Sequence, residues 1–208
     1  MSNKLWGDAL KALVGDNYSV VDIETTGLDT RTAEIIELAL YAQRNGKTLQ
    51  GAFLAQRQGR QGLPAEIITL TGISDAMLEQ EGQPLPQILG SLSVLAGAPI
   101  VGHNILRYDA PVISRHLKAL GMIDVIAESV LIDTAALFKA RQLGIRMSAG
   151  ETFLRYQSRI LELRAPGVKY NLPFACATLG IDTAGIQAHR AAGDVEMTRR
   201  VFERLKAE

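Results

Sequence analysis

The run from Tyr18 to Ile23 is apolar and β-branched, the pattern of a buried strand, yet it contains Asp22 and leads directly into Glu24. A buried carboxylate must be paired or bound to a cation, so any fold of this chain has to bring counter-charge to that strand end. Alternate residues of a strand share a face, which sets Asp22 beside Glu24 with Ile23 buried opposite. Adjacent carboxylates repel unless a cation sits between them. Taken alone, a metal-binding pair and a chance acidic pair at a strand edge account for the segment equally well.

Two further segments carry chemistry. Asp109 closes Gly102-His103-Asn104-Ile105-Leu106-Arg107-Tyr108-Asp109, after a short strand over 98–102. A helix expected over 104–120, ended by Gly121, would place it about two turns in, able to face back over the strand ends. A solvated helix acid is the alternative. His189 and Asp194 are five positions apart. In one continuous helix they would sit about 140° apart around the axis. The expectation is therefore His189 in a loop and Asp194 inside the helix that follows, over 190–206.

Four acids and one histidine suit a divalent cation on oxygen ligands with a general base alongside. Mg²⁺ or Mn²⁺ fits such ligands, whereas zinc prefers more His or Cys. Two-metal phosphodiester cleavage uses two ions about 3.5–4 Å apart with a bridging carboxylate. Asp22 is the bridging candidate, Glu24 and Asp194 complete the first site, and Asp109 supports the second. His189, near its natural pKa, removes the proton of the attacking water.

The remaining chain limits the alternatives. With 208 residues, 47% hydrophobic and 21% charged, a single soluble domain over 1–208 is expected. No stretch approaches the roughly 20 apolar residues of a membrane span, and no signal peptide is evident, so the expected location is cytoplasmic. Cys176 lies in an apolar stretch and reads as a core thiol. Lys and Arg total 22 against 22 Asp and Glu, so no global basic signature exists. Residues 137–170 nevertheless hold Lys139, Arg141, Arg146, Arg155, Arg159, Arg164 and Lys169 against Glu151 and Glu162. A phosphate-binding patch and a solvated helix face explain that bias equally well.

Local patterns order the elements. A helix is expected over 1–16, then strands over 18–23, 34–44 and 47–55, the last two joined by Asn45-Gly46. Helical segments over 64–97 are broken by Gly72, Gly82, Pro84 and Pro86. A strand over 128–132 leads to a helix capped by Asp133 or Thr134, and helices over 172–179 and 190–206 close the chain. Residues from about 140 to 170 read as a basic insertion. The sum is an α/β fold: a mixed sheet, three antiparallel strands then parallel ones, with helices on both faces.

Together these segments resemble the DEDDh (DnaQ-like) 3′–5′ exonucleases of the ribonuclease H-like superfamily. Asp22 and Glu24 match the first family motif, Asp109 the second, and His189 with Asp194 the third. The resemblance implies the five residues as catalytic and the four acids as ligands of two Mg²⁺ or Mn²⁺ ions. It implies a metal-dependent exonuclease that releases nucleoside 5′-monophosphates from 3′ ends. It further implies substrate contacts at Thr25, Thr26, Leu28, Ile73, His103 and Asn104; the Ile73 segment, Ile68-Thr69-Leu70-Thr71-Gly72-Ile73, by itself reads as a turn between helices with Ile73 in the core. His103 and Asn104 resemble the His-Asn pair before the second acid, with His103 structural rather than catalytic. Two departures are the six positions from His103 to Asp109, where five is common, and the long stretch over 140–170.

Single-stranded DNA ends are the expected substrate, with stacking on Leu28 and Ile73. With little chain outside the catalytic region, a stand-alone enzyme is expected ahead of a polymerase-associated proofreading or accessory subunit, and an exoribonuclease is a further alternative. A haloacid dehalogenase-like phosphatase is disfavoured, because Glu24 stands where that chemistry needs a second aspartate.

Overall fold

The structure, a computed structural model, describes residues 6, 9–59 and 61–207. β1 (Tyr18–Thr25) pairs antiparallel with β2 (Ile35–Arg44), which returns as β3 (Lys47–Leu54). Asn45 and Gly46 between them both have positive φ, the backbone that a tight two-residue hairpin requires. β4 (Ile100–Gly102) and β5 (Leu131–Asp133) add in parallel beyond the other edge of β1, giving the order β3-β2-β1-β4-β5. This is the expected mixed sheet.

Strand alternation divides the core into two layers. Tyr18 and Val20 of β1 face one layer, completed by α6 (Thr134–Leu143), α7 (Phe153–Glu162), α8 (Leu172–Thr178) and α9 (Ala191–Lys206). Val21 and Ile23 face the other, beneath α4 (Leu85–Gly90), a 3₁₀ turn (Ser91–Leu95) and α5 (Asp109–Ala119). Asp22 and Glu24 continue the Tyr18–Val20 series and so point toward α9. That helix buries Val195, Thr198, Phe202 and Leu205 at helical spacing. Full burial of each apolar member contributes about 1.5–3 kcal/mol, which fixes the helix and hence its first turn.

α1 (Ala9–Val14) is the described part of the expected N-terminal helix; residues 1–5, 7 and 8 lie outside the described residues. α2 (Ala65–Thr71) and α3 (Asp75–Glu81) cover a small cluster of Ile36, Leu63, Ile73 and Leu78. Cys176 is buried, as expected of a core thiol. Among the described residues, no helix is long and apolar enough to cross a membrane.

Several boundaries differ from expectation. The helix expected over 104–120 begins at Asp109, because Asn104 takes φ 64° and the Asn104 and Leu106 N–H groups are bound by Asp133 instead of entering a helix. The strand expected over 128–132 is Leu131–Asp133, since residues 124–129 form turns in which Asp124 Oδ1 accepts from Ala127 N at 3.1 Å. In the 140–170 stretch, α7 buries Tyr156, Gln157, Ile160 and Leu161. The Gln157 amide accepts from Asp133 N (2.6 Å) and donates to Leu131 O (3.0 Å), closing the open edge of β5.

Candidate active site

β1 delivers two acids to the α9 side of the sheet, and a register shift between Glu24 and Thr25 bends its end. α9 supplies a third, Asp194, from its first turn. One carboxylate oxygen each from Asp22, Glu24 and Asp194 lies within 4.8 Å of the others, and all three residues are partly buried. Asp109 opens α5 rather than lying two turns into a helix, and it is 5% exposed. Its Oδ1 accepts from Ile23 N at 3.2 Å, an N–H beyond the Ser19 and Val20 positions where β4 pairs with β1. A carboxylate at a helix start is favoured by the N-terminal partial charge.

These acids raise one another's pKa. Burial, then the charges of Asp109, Asp194 and Glu24, hold Asp22 well above the usual aspartate range. Burial followed by Asp194 and Glu37 pushes Glu24 up to about 8. Burial pushes Asp109 up to about 7, against the backbone N–H bonds that favour its charged form. Asp194 is likewise raised by burial, opposed by the N–H and ring of His189. A cluster of mutually repelling oxygens is the donor set that a hard divalent cation fits.

His189 lies in the loop before α9, as expected, with φ 58° and an exposed side chain; its N–H donates to Asp194 Oδ1 at 3.3 Å. His189 and Asp194 thus belong to one short loop-to-helix unit. Gly193 allows that unit to close, since a Cβ there would lie 1.9 Å from Gln187 O.

The expected substrate residues divide. Leu28 is 89% exposed beside the end of β1. Thr25 and Thr26 spend their hydroxyls on the loop itself: Thr25 Oγ1 donates to Gly27 O and meets the Tyr108 hydroxyl, and Thr26 Oγ1 accepts from Glu34 N. Ile73 corrects the substrate contact that the resemblance implies and takes the core position that its own segment reads as. It is 0% exposed beneath α2 and α3, because its apolar side chain is worth more in the core than on the surface. His103 also departs from a substrate-binding role. Its Nε2 donates to Tyr170 O and its Nδ1 meets Thr134 Oγ1, both at 2.9 Å, while burial pushes the ring down to about 4. A neutral ring with both nitrogens engaged braces the loop after β4. Asn104 is held through its backbone by Asp133 and lines a cleft of about 470 Å³ with Arg107 and Tyr170.

Three supports escaped the sequence reading. Asp133 was expected only as a helix cap; it receives Ala135 N and Ala136 N and also Asn104 N and Leu106 N, tying the loop that leads to Asp109. Tyr108 donates to Gly27 O and secures the Thr25–Leu28 turn. Glu37, paired in register with Glu24, forms an ion pair with Arg190. An acid inside Ile35-Ile36-Glu37-Leu38 was the available signal, by the same reasoning that singled out Asp22.

Known proteins share both sequence and fold. Residues 19–202 match the family model RNase_T, described as Exonuclease. The DNA polymerase III PolC-type protein of Halalkalibacterium halodurans is 33% identical over 134 residues, covering 64% of this chain and 9% of that protein. The DNA polymerase III subunit epsilon of Aquifex aeolicus is 26% identical over 198 residues, 94% of this chain and 83% of that one. The zinc-bound exonuclease I–single-stranded DNA complex of E. coli superposes with a TM-score of 0.71 at 16% identity, over 92% of this chain and 40% of that chain. This chain therefore spans only a small part of the PolC-type polymerases, and its fold is the ribonuclease H-like α/β fold seen in exonuclease I. With the family model matched over most of its length, the chain belongs to the RNase_T exonuclease family, in its DnaQ-like group.

Proposed function

We propose that this protein is a divalent-metal-dependent 3′–5′ exonuclease that removes nucleoside 5′-monophosphates from single-stranded DNA ends. The observation that carries the reading is the convergence of Asp22, Glu24 and Asp194 within 4.8 Å, with Asp109 and His189 on the adjoining turns. Asp22, Glu24 and Asp194 would hold the cation, with Asp109 completing the acidic set. Mg²⁺ or Mn²⁺ bound there would supply Lewis acidity toward the attacking water and the scissile phosphate. His189 takes the proton of that water at its imidazole, reaching from the exposed loop. Leu28 offers an apolar surface on which the terminal base stacks. The upstream strand follows the clefts lined by Asn104, Arg107, Tyr170 and Arg164, where Arg107 and Arg164 are exposed to meet phosphates. Lys139 contributes nothing there, because its ammonium is buried against Leu161 O and Leu163 O.

DNA is favoured over RNA because the similar sequences include DNA polymerase III proteins, and a similar fold was crystallised with single-stranded DNA. The same likeness favours one second reading, the proofreading part of a polymerase assembly; stable co-purification with a replicative polymerase would establish it. The primary test follows 5′- and 3′-labelled DNA and RNA oligomers with Mg²⁺ or Mn²⁺. A 5′-labelled DNA ladder shortening stepwise, abolished by EDTA and by Asp22→Ala, is expected. Activity surviving in Asp22→Ala would refute the site.

A further inference from the structure

β2 carries an acid that the cation does not use. Glu37 stands opposite Glu24 in the antiparallel register, so the two side chains share a face, and it is 2% exposed. Both of its oxygens are occupied by donors. Arg190 Nε lies 3.1 Å from each, Arg190 Nη2 lies 2.6 Å from Oε1, and Ala191 N lies 2.8 Å from Oε2. These partners immediately follow His189. Arg190 is the N-cap residue of α9 and makes no side-chain cap of its own, so the cap arrives from the neighbouring strand.

His189 needs such support. A non-glycine residue at φ 58° costs roughly 1–2 kcal/mol and persists only where its surroundings impose it. On one side of the turn Asp194 Oδ1 receives the His189 N–H, and on the other Glu37 Oε2 receives the Ala191 N–H. The guanidinium between them is gripped through two of its nitrogens, a geometry that fixes direction as well as distance.

We infer that the Glu37–Arg190 pair is an ionic clamp that positions His189: it fixes the left-handed turn on which the imidazole is mounted, without touching cation or substrate. The inference rests on the exonuclease reading, in which His189 is the base. Because the clamp acts through His189, its removal matters only while His189 is present.

The test is a double-mutant cycle on the full chain with Mn²⁺ and a 5′-labelled single-stranded DNA oligomer. Glu37→Gln is nearly isosteric and removes the charge. It should lower kcat by about 10- to 100-fold while KM and Mn²⁺ affinity change less than about threefold. In a His189→Gln background the same substitution should cost less than about threefold. Arg190→Gln, at a partly exposed position, should reproduce this pattern and carries the test if Glu37→Gln fails to fold. Equal fold-losses in both backgrounds overturn the clamp, as does an Mn²⁺ affinity that falls in step with kcat. A wild-type protein inactive on every oligomer removes the exonuclease reading and the clamp with it, whereas an active wild type with additive variants removes the clamp alone.

Discussion

Replacing Glu24 with glutamine should stabilise the metal-free protein at neutral pH while abolishing its activity. Burial first, then Asp194 and Glu37, raises Glu24 from 4.5 to about 8. An acid whose folded pKa is raised contributes stability that is present below its unfolded pKa and lost as pH rises through the folded one. Applying that linkage to 4.5 and about 8, the loss is ~1 kcal/mol at pH 5 and ~3 kcal/mol at pH 7. Glutamine does not ionise. The difference in unfolding free energy between Glu24→Gln and wild type should therefore grow by about 2.5 kcal/mol from pH 5 to pH 7. For a chain of this size that is a melting shift of roughly 5–10 °C. Taking the difference cancels groups that Glu24 does not perturb, among them His103, whose lowered pKa of about 4 gives the opposite slope over the same range. The assay is urea unfolding in EDTA at both pH values, repeated with Mn²⁺. Saturating Mn²⁺ should reverse the order, because wild type gains the binding energy that the variant has lost. A difference independent of pH, or a variant less stable at pH 7 without metal, would refute the electrostatic account.

The remaining predictions concern supports and surface. Leu28→Ala should raise KM for an oligomer several-fold at unchanged stability, whereas Ile73→Ala should cost about 2–4 kcal/mol in unfolding and leave KM within about threefold; steady-state kinetics with thermal melts separate them. Asp133→Asn leaves one acceptor oxygen for four backbone N–H groups, so urea unfolding should show a loss of about 2–4 kcal/mol. Gly193→Ala forces a Cβ against Gln187 O, and a loss of about 1–3 kcal/mol together with reduced kcat is expected. Unchanged kcat there would mean that the loop before α9 can shift without cost to the proposed role of His189.

What could be read from the sequence is what depends on local periodicity. The alternation in Tyr18–Thr25 set Asp22 and Glu24 on one face, and Asn45-Gly46 gave the hairpin that adds β3. The five-residue step from His189 to Asp194 excluded a shared helix, and the structure has loop and helix in those places. What escaped depends on partners distant in sequence. Asn104 to Tyr108 has helix-compatible residues, but Asp133, some 29 positions on, captures the Asn104 N–H and makes the segment a loop. Ile73 lies in a turn whose pattern fits both exposure and burial; Leu63 and Leu78 decide it. The charge bias over 137–170 also overstated the free charge, since Lys139 is buried and Arg159 pairs with Glu151 at 2.7 Å.

Magnitudes show why the acid cluster calls for a cation rather than relief from within the chain. Asp109 and Asp194 each sit in the first turn of a helix, where the macrodipole offers about 0.3–1 kcal/mol to a carboxylate. Against this, moving Glu24 from 4.5 to about 8 alone corresponds to roughly 5 kcal/mol. Arg190 lowers Glu24, but its Nε and Nη2 are engaged by Glu37, itself a charge that raises Glu24. Dipoles and Arg190 together therefore leave most of the cost of burial and repulsion standing. The chain gives up stability to hold these oxygens together, as a preorganised site does, and a bound divalent cation would return it. Its own arginine meanwhile serves the turn that carries His189.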